Sequence, residues 1–376
     1  MTTRRRDRKP PRRPPQDRAA QDEAAIAREA GLVHVRDDAP GIRRRRSGAG
    51  FIYLDADGTR IRDAAQLARI RALAVPPAYT EVWICRDPRG HLQATGRDAR
   101  RRKQYRYHAR WRVFRDRSKF VRLVAFGQAL PRLRRRLRRD LALPGLPCEK
   151  VVAVVVSLLA ETLARVGNEA YARDNRSFGL TTLRNRHVAS LRGGRLSLRF
   201  RGKGGLEHAM VVDDQRLARI VARCHQLPGQ LLFQYLDEDG VCQPVDSGQV
   251  NAYLRDAMGE DFTAKDFRTW GGTLLAVAAL ARTPLPDPGD ERALAAGAAA
   301  VVREVAAALR NTPAVCRTSY IDPRVFDVWR RGRLHRLASQ HGSGGPRRLE
   351  GLALRVLRDR PGVGGRPSGT PRRRAR

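Results

Sequence analysis

The chain has 376 residues, with 75 Lys and Arg against 38 Asp and Glu, a formal net charge of +37. That length allows two domains and a sizeable core, and a two-to-one excess of bases over acids attracts the phosphate backbone of a nucleic acid. No apolar stretch reaches about 18 residues without a charge, which excludes a transmembrane helix, and the five cysteines and eight histidines are too scattered for a disulfide framework or a metal site.

Residues 1–46 are rich in Arg, Pro and acids and read as a basic flexible arm. Their opening, MTTRRRDRKPPRRPP, lacks an apolar h-region, so a reduced, cytoplasmic protein with structural cysteines is expected. Residues 47–115 read as a small β-rich domain. GFIYLDADGTRI predicts two short strands joined through Asp55–Gly58, whose D-A-D-G is turn chemistry. A short helix over Asp63–Ala72 stops before Pro76-Pro77, and EVWICRDPRGHLQATGRD predicts a hairpin turning at Asp87–Gly90.

Residues 116–360 carry helical periodicity. PRLRRRLRRDL is a basic helix, and CEKVVAVVVSLLAETLARVG is apolar on nearly every turn, predicting a buried helix with Arg165 at its C-terminal end. GGRLSLRFRGKGGLEHAMVV predicts two strands with a turn at Gly202–Gly205. Thr263 and Asp266 of TAKD form a capping box that opens a helix running to about Arg282, with Arg268 in its first turns. DERALAAGAAAVVREVAAALR is an Ala-rich helix ending near Arg310, and Thr312 with Pro313 caps a short helix that carries Tyr320 near its end. Residues 361–376 are a basic, Gly- and Pro-rich tail expected to be disordered.

Four short motifs offer, in chain order, Arg165, Lys203, Arg268, Asn311 and Tyr320. Attack on a phosphodiester puts extra negative charge on the non-bridging oxygens, and two guanidinium forks hold that charge without a metal ion. The departing sugar oxygen needs a proton. Only six of the 75 basic residues are lysines, and Lys203 sits on a Gly-Lys-Gly-Gly turn able to reach into a groove and supply it. The phenol of Tyr320 is the candidate nucleophile, and the Asn311 amide can donate one more hydrogen bond. Each residue has a plainer reading: a tyrosine near a helix end is ordinarily packing, Arg165 a helix C-terminal cation, and GKGG a hairpin turn that lacks the phosphate-loop pattern. The ordered set, and no single member, carries the signal.

The stretch VPPAYTEVWICRDPRGHLQATGRDARRRKQYRYH, with GLTTLRNRHV, the GK turn, KDFRTWGG and NTPAVCRTSYIDP, resembles the type IB DNA topoisomerases in the compact form shared by poxviruses and bacteria, over about Gly50 to Leu337. The resemblance implies an α+β fold: a small β-rich N-terminal domain and a larger, mainly α-helical catalytic domain of the topoisomerase and tyrosine recombinase kind, forming a C-shaped clamp on duplex DNA. It implies Tyr320 as nucleophile, Arg165 and Arg268 as transition-state clamps and Lys203 as general acid, working as a monomer without ATP, metal or other cofactor. Gln104, Tyr105 and Tyr107, with Arg102 and Lys103 beside them, match DNA-contacting positions. Asn311 departs from the viral pattern, which has His there. Asn can stabilise an oxygen but cannot transfer a proton.

Two other classes compete. A tyrosine recombinase shares the chemistry but typically carries His-x-x-Arg where this chain has Lys265-Asp266-Phe267-Arg268. A non-catalytic architectural protein needs only the charge and has no use for the ordered set. Relaxation of supercoiled DNA separates all three.

Overall fold

Hairpin chemistry gives way to helical periodicity near residue 109, and the computed structural model, which describes residues 23–341 and 345–359, divides into two units between Lys119 and Phe120. The division falls inside a single helix, four residues beyond the 115/116 boundary that composition suggested.

The first unit is built on five antiparallel strands, β1 (Ile42–Ser47), β2 (Gly50–Leu54), β3 (Thr80–Ile84), β4 (Leu92–Arg97) and β5 (Lys103–Tyr107), in the order β2-β1-β3-β4-β5. Helix α1 (Ala64–Ala72) starts where Asp63 accepts a hydrogen bond from the Gln66 amide at 2.7 Å. Ile70 of α1 packs with Ile42, Val82, Ile84 and Ala94 of the sheet. The β3–β4 hairpin turns at Asp87–Gly90 as predicted, with the Gly90 amide on the Asp87 carbonyl at 3.0 Å.

Two expectations fail here. The arm expected over residues 1–46 is folded from residue 23: a helical run covers 23–29, Ala27 and Leu32 are buried against Trp111, and β1 lies between β2 and β3. Residues 1–22 lie outside the described residues. The strand Gly50–Leu54 pairs with β1 and turns at Ser47–Gly50, while Arg60 adds only an isolated bridge to Leu54. The sequence IRRRRS hides β1 because one of its arginines does structural work. The Arg44 guanidinium donates to the carbonyls of Val75 (3.1 Å), Pro76 (2.9 Å) and Tyr79 (2.6 Å), and lies 4.2 Å over the Phe51 ring.

The basic stretch extends into a 32-residue helix, α2 (Ala109–Asp140), which begins in the first unit, continues into the second and runs through Pro131. Helix α3 (Cys148–Thr162) is buried at every position from Lys150 to Leu159, as its unbroken apolar run predicts. Then follow α4 (Glu169–Asn175), a three-stranded antiparallel sheet of β6 (Val188–Leu191), β7 (Arg195–Arg201) and β8 (Glu207–Val212), helix α5 (Gln215–His225), and a two-stranded ladder of β9 (Gln234–Leu236) and β10 (Cys242–Pro244). Helices α6 (Ser247–Met258), α7 (Ala264–Arg282), α8 (Glu291–Leu309), α9 (Pro313–Ser319), α10 (Arg324–Arg330), α11 (Arg333–His341) and α12 (Pro346–Arg358) complete it. One apolar core, centred on α3, α7 and α8, joins them and includes Phe126, Phe262 and Trp329. The fold class is α+β, a sheet-based first unit and a helical second one, as expected. The tail over 361–376 lies outside the described residues. No helix among the described residues is long and apolar enough to cross a membrane.

Candidate active site

The site is assembled where two helices end. Helix α3 stops at Thr162, short of Arg165, because Leu163 turns left-handed at φ 53°. Helix α8 stops at Leu309, with Arg310 left-handed at φ 50°. Carbonyls at helix C-termini have no intrahelical donor and mark the negative end of the helix dipole. One side chain serves both. Arg268 of α7, 4% exposed, hydrogen-bonds the Leu163 carbonyl through Nη1 and the Leu309 carbonyl at 2.8 Å through Nη2.

The two glycines after Arg268 let these partners come close. A Cβ on Gly271 would meet Leu163 Cδ1 at 2.4 Å, and one on Gly272 would meet the Tyr320 carbonyl oxygen at 2.6 Å. The motif RTWGGT is thereby explained in sequence order: a guanidinium that caps two helices, then one position kept bare for the Leu163 side chain and one for the Tyr320 backbone. Thr273, fully buried, completes it. Its hydroxyl donates to the Tyr320 carbonyl at 3.4 Å and accepts from the Asp322 amide at 3.2 Å.

Tyr320 ends α9, which Thr312 caps and Pro313 opens as predicted. Its amide bonds the Cys316 carbonyl at 3.0 Å, and its ring centroid lies 5.0 Å from the Arg268 guanidinium carbon. Burial works to raise the phenol pKa, but the close contact and charge of Arg268, then the charges of Arg165 and Lys265, outweigh it and bring the pKa below the usual tyrosine value.

Arg165 lies in the extended segment after α3, held by backbone bonds from Leu180 to its own carbonyl (2.9 Å) and from Thr181 to the Val166 carbonyl (2.7 Å). Its Nη2 donates to Asn311 Oδ1 at 2.7 Å. A guanidinium has no acceptor, so this contact fixes which way the Asn311 amide points. The Asn311 NH2 makes a 3.4 Å bond to the Leu309 carbonyl. Among the described residues two buried donors, Arg165 Nη1 and Arg268 Nε, have no hydrogen-bond partner. Orphaned cationic donors beside a phenol of lowered pKa make a cradle for an anionic ligand.

Four of the five predicted residues, Arg165, Arg268, Asn311 and Tyr320, thus come together. Lys203 is placed differently. It is exposed at the tip of the β7–β8 hairpin, and among the described residues it has no hydrogen-bond or ion-pair partner. Sequence reasoning gave no role to Lys265, one turn before Arg268 on α7, or to Thr273. The signal for the first was its scarcity among arginines, and the second had none.

The residues expected to contact DNA in the first unit sit on and beside β5, an edge strand. Lys103, Tyr105 and Tyr107 alternate onto one face, Gln104 onto the other. Tyr105 is 48% exposed, and its ring stacks with Tyr107 at 6.1 Å. Acidic partners hold the polar members: Lys103 pairs with Asp37 at 2.5 Å, while Asp98 takes Arg102 at 2.7 Å and the Gln104 amide at 2.9 Å. In the second unit a groove of about 760 Å³ is lined by Arg173, Arg176, Arg184 and Arg186, and does not include Tyr320.

Comparison with known proteins finds relatives over most of the chain. Residues 108–326 match the family model described as eukaryotic DNA topoisomerase I, catalytic core, and residues 50–98 match bacterial DNA topoisomerase IB, N-terminal domain. The chain is 34% identical over 286 residues to DNA topoisomerase 1B of Acanthamoeba polyphaga mimivirus, covering 75% of this chain and 85% of the viral protein.

Proposed function

The chain belongs to the type IB DNA topoisomerase family, and on that premise we propose that it relaxes supercoiled DNA by transient cleavage of one strand, with Tyr320 as the nucleophile. The observation that carries the assignment is the pair of orphaned guanidinium donors, Arg165 Nη1 and Arg268 Nε, beside the Tyr320 phenol.

The phenol gives up its proton to water and attacks phosphorus as phenolate, helped by its lowered pKa. A bond from Tyr320 Oη to phosphorus forms while the bond from phosphorus to the 5′ oxygen breaks, leaving a 3′-phosphotyrosyl link and a 5′-hydroxyl end. Arg165 and Arg268 take the charge that gathers on the non-bridging oxygens. Because Arg268 is already fixed by two carbonyls, it needs no reorganisation as that charge develops. Asn311 orients Arg165 and adds a neutral donor. Lys203, on its exposed turn, gives the 5′ oxygen its proton. The free strand then rotates under torsion, and the same hydroxyl reseals the nick. Two guanidiniums supply the charge compensation that a metal would otherwise provide, and the phosphotyrosine conserves the bond energy, so neither metal nor ATP enters the cycle.

The tyrosines of β5 and the arginine-lined groove fit duplex DNA tracked along its phosphates. The enzyme acts as a monomer in the cytoplasm on nucleoid DNA. The position that would hold a recombinase His is occupied by Lys265. Relaxation of supercoiled plasmid with EDTA and without ATP is the test. Full relaxation is expected, and no change in linking number would refute the function.

A further inference from the structure

The base of the Lys203 hairpin holds a group that this mechanism leaves unused. His208 on β8 pairs across the ladder with Phe200 on β7, and the rings stack with centroids 5.0 Å apart and planes within 2°. The histidine is only 9% exposed. One edge of its imidazole lies against Gly202, the residue before Lys203: a Cβ built on Gly202 would meet both Cδ2 and Nε2 of the ring at 2.5 Å. Gly202 has φ −94°, which any residue adopts, so glycine is required there for room and not for conformation. The first glycine of the GKGG turn is therefore explained by His208.

A buried imidazole ordinarily has a hydrogen-bond partner. Among the described residues neither nitrogen of His208 has one. Burial first, then the charges of Arg165, Arg310 and Arg268, hold its pKa down to about 4, so the ring is neutral at neutral pH and carries one N–H. The guanidiniums around it are donors themselves and cannot accept that hydrogen. What the surroundings lack is an anionic oxygen.

Resting on the reading of Tyr320 as nucleophile, we infer that His208 is a further catalytic residue: its neutral imidazole donates a hydrogen bond to a non-bridging oxygen of the scissile phosphodiester, from the same hairpin that carries Lys203. The role complements Asn311, whose amide oxygen is committed to Arg165. Substrate would then engage the two orphaned guanidinium donors and one imidazole at once.

Two substitutions separate the donor from the ring. His208→Phe keeps the stack on Phe200 and deletes the N–H, whereas His208→Gln keeps an amide N–H near the place of Nε2 and loses the ring. In single-turnover cleavage of a suicide duplex by the full chain, His208→Phe is expected to be slower by about 100-fold, the effect of losing one oxyanion donor, and His208→Gln to fall between it and wild type. The reverse order, with Phe near wild type and Gln slow, means that the ring only packs and overturns the inference. Should both variants be equally slow, ring-nitrogen NMR of His208 in the Tyr320→Phe protein decides. Binding of duplex DNA should raise its pKa above the free value, and an unmoved pKa overturns the role. An adduct at a residue other than Tyr320 would overturn the site reading and the inference together. An adduct at Tyr320 with the reversed order overturns the inference alone.

Discussion

Around Tyr320, Arg268 is 4% exposed and tied by both terminal nitrogens to backbone carbonyls, whereas Lys203 stands exposed on a turn whose glycines at 204 and 205 have φ of 77° and 81°. In the proposed mechanism the cation that meets developing charge is fixed before substrate arrives. The group proposed to deliver a proton is left beside backbone that only glycine adopts easily. Electrostatic stabilisation gains from preorganisation because nothing has to move as the charge forms. A general acid needs reach to the leaving oxygen, and in a free enzyme such contacts are often unmade. The two halves of the chemistry should therefore respond to substitution in different ways.

Tyr320→Phe removes only the hydroxyl and should form no covalent adduct while still binding DNA, as read by gel shift beside adduct trapping. Adduct formation by this variant would move the nucleophile elsewhere. On the preorganised side, Arg165→Ala and Arg268→Ala should each slow cleavage by about 100-fold or more. Arg268→Lys should not recover the rate, since an ammonium cannot span the Leu163 and Leu309 carbonyls as a planar fork does. Arg268→Ala should also move the pH–rate profile of cleavage to higher pH. Arg268 helps hold the phenol pKa down, so its loss raises that pKa and less phenolate is present at a given pH. A profile that stays in place would mean that the phenolate does not limit the step.

On the exposed side, Lys203→Ala should be slow on normal DNA and largely rescued when the scissile 5′ oxygen is replaced by sulfur, which leaves without a proton. Equal defects on both substrates would remove Lys203 as the acid. Lys203→Arg should stay slow with normal DNA, because arginine does not release a proton near neutral pH. The smallest effect belongs to Asn311. Asn311→Ala loses an acceptor for Arg165 and one neutral donor, worth about 0.5–1.5 kcal/mol for a single hydrogen bond. A wild-type single-turnover rate would show that Arg165 needs no orienting partner.

The sequence offered the five candidate residues and carried most elements of the second unit, because α3, α7, α8 and α9 each have a strong local signature: an unbroken apolar run, a capping box, an Ala-rich face, a Thr-Pro cap. It did not carry how Arg268 is held. Capping two helices at once depends on where α3 and α8 end, and those ends are left-handed residues, Leu163 and Arg310, that no local pattern marks. Strand β1 was illegible for a related reason. Four successive arginines read as a solvated run, yet Arg44 is bound to the carbonyls of a distant turn. His208 was silent because a single histidine in a strand has no local signature. Its meaning comes from Gly202 and Phe200 across the ladder.

The central claim is that Tyr320 bears the phosphodiester during catalysis. The direct measurement is to trap the wild-type adduct on a suicide duplex in EDTA, digest it and map the DNA-bearing peptide by mass spectrometry. The account predicts a single phosphotyrosyl link on Tyr320, through the 3′ end of the cleaved strand. A link on any other residue, or relaxation of plasmid with no covalent adduct at all, would contradict it.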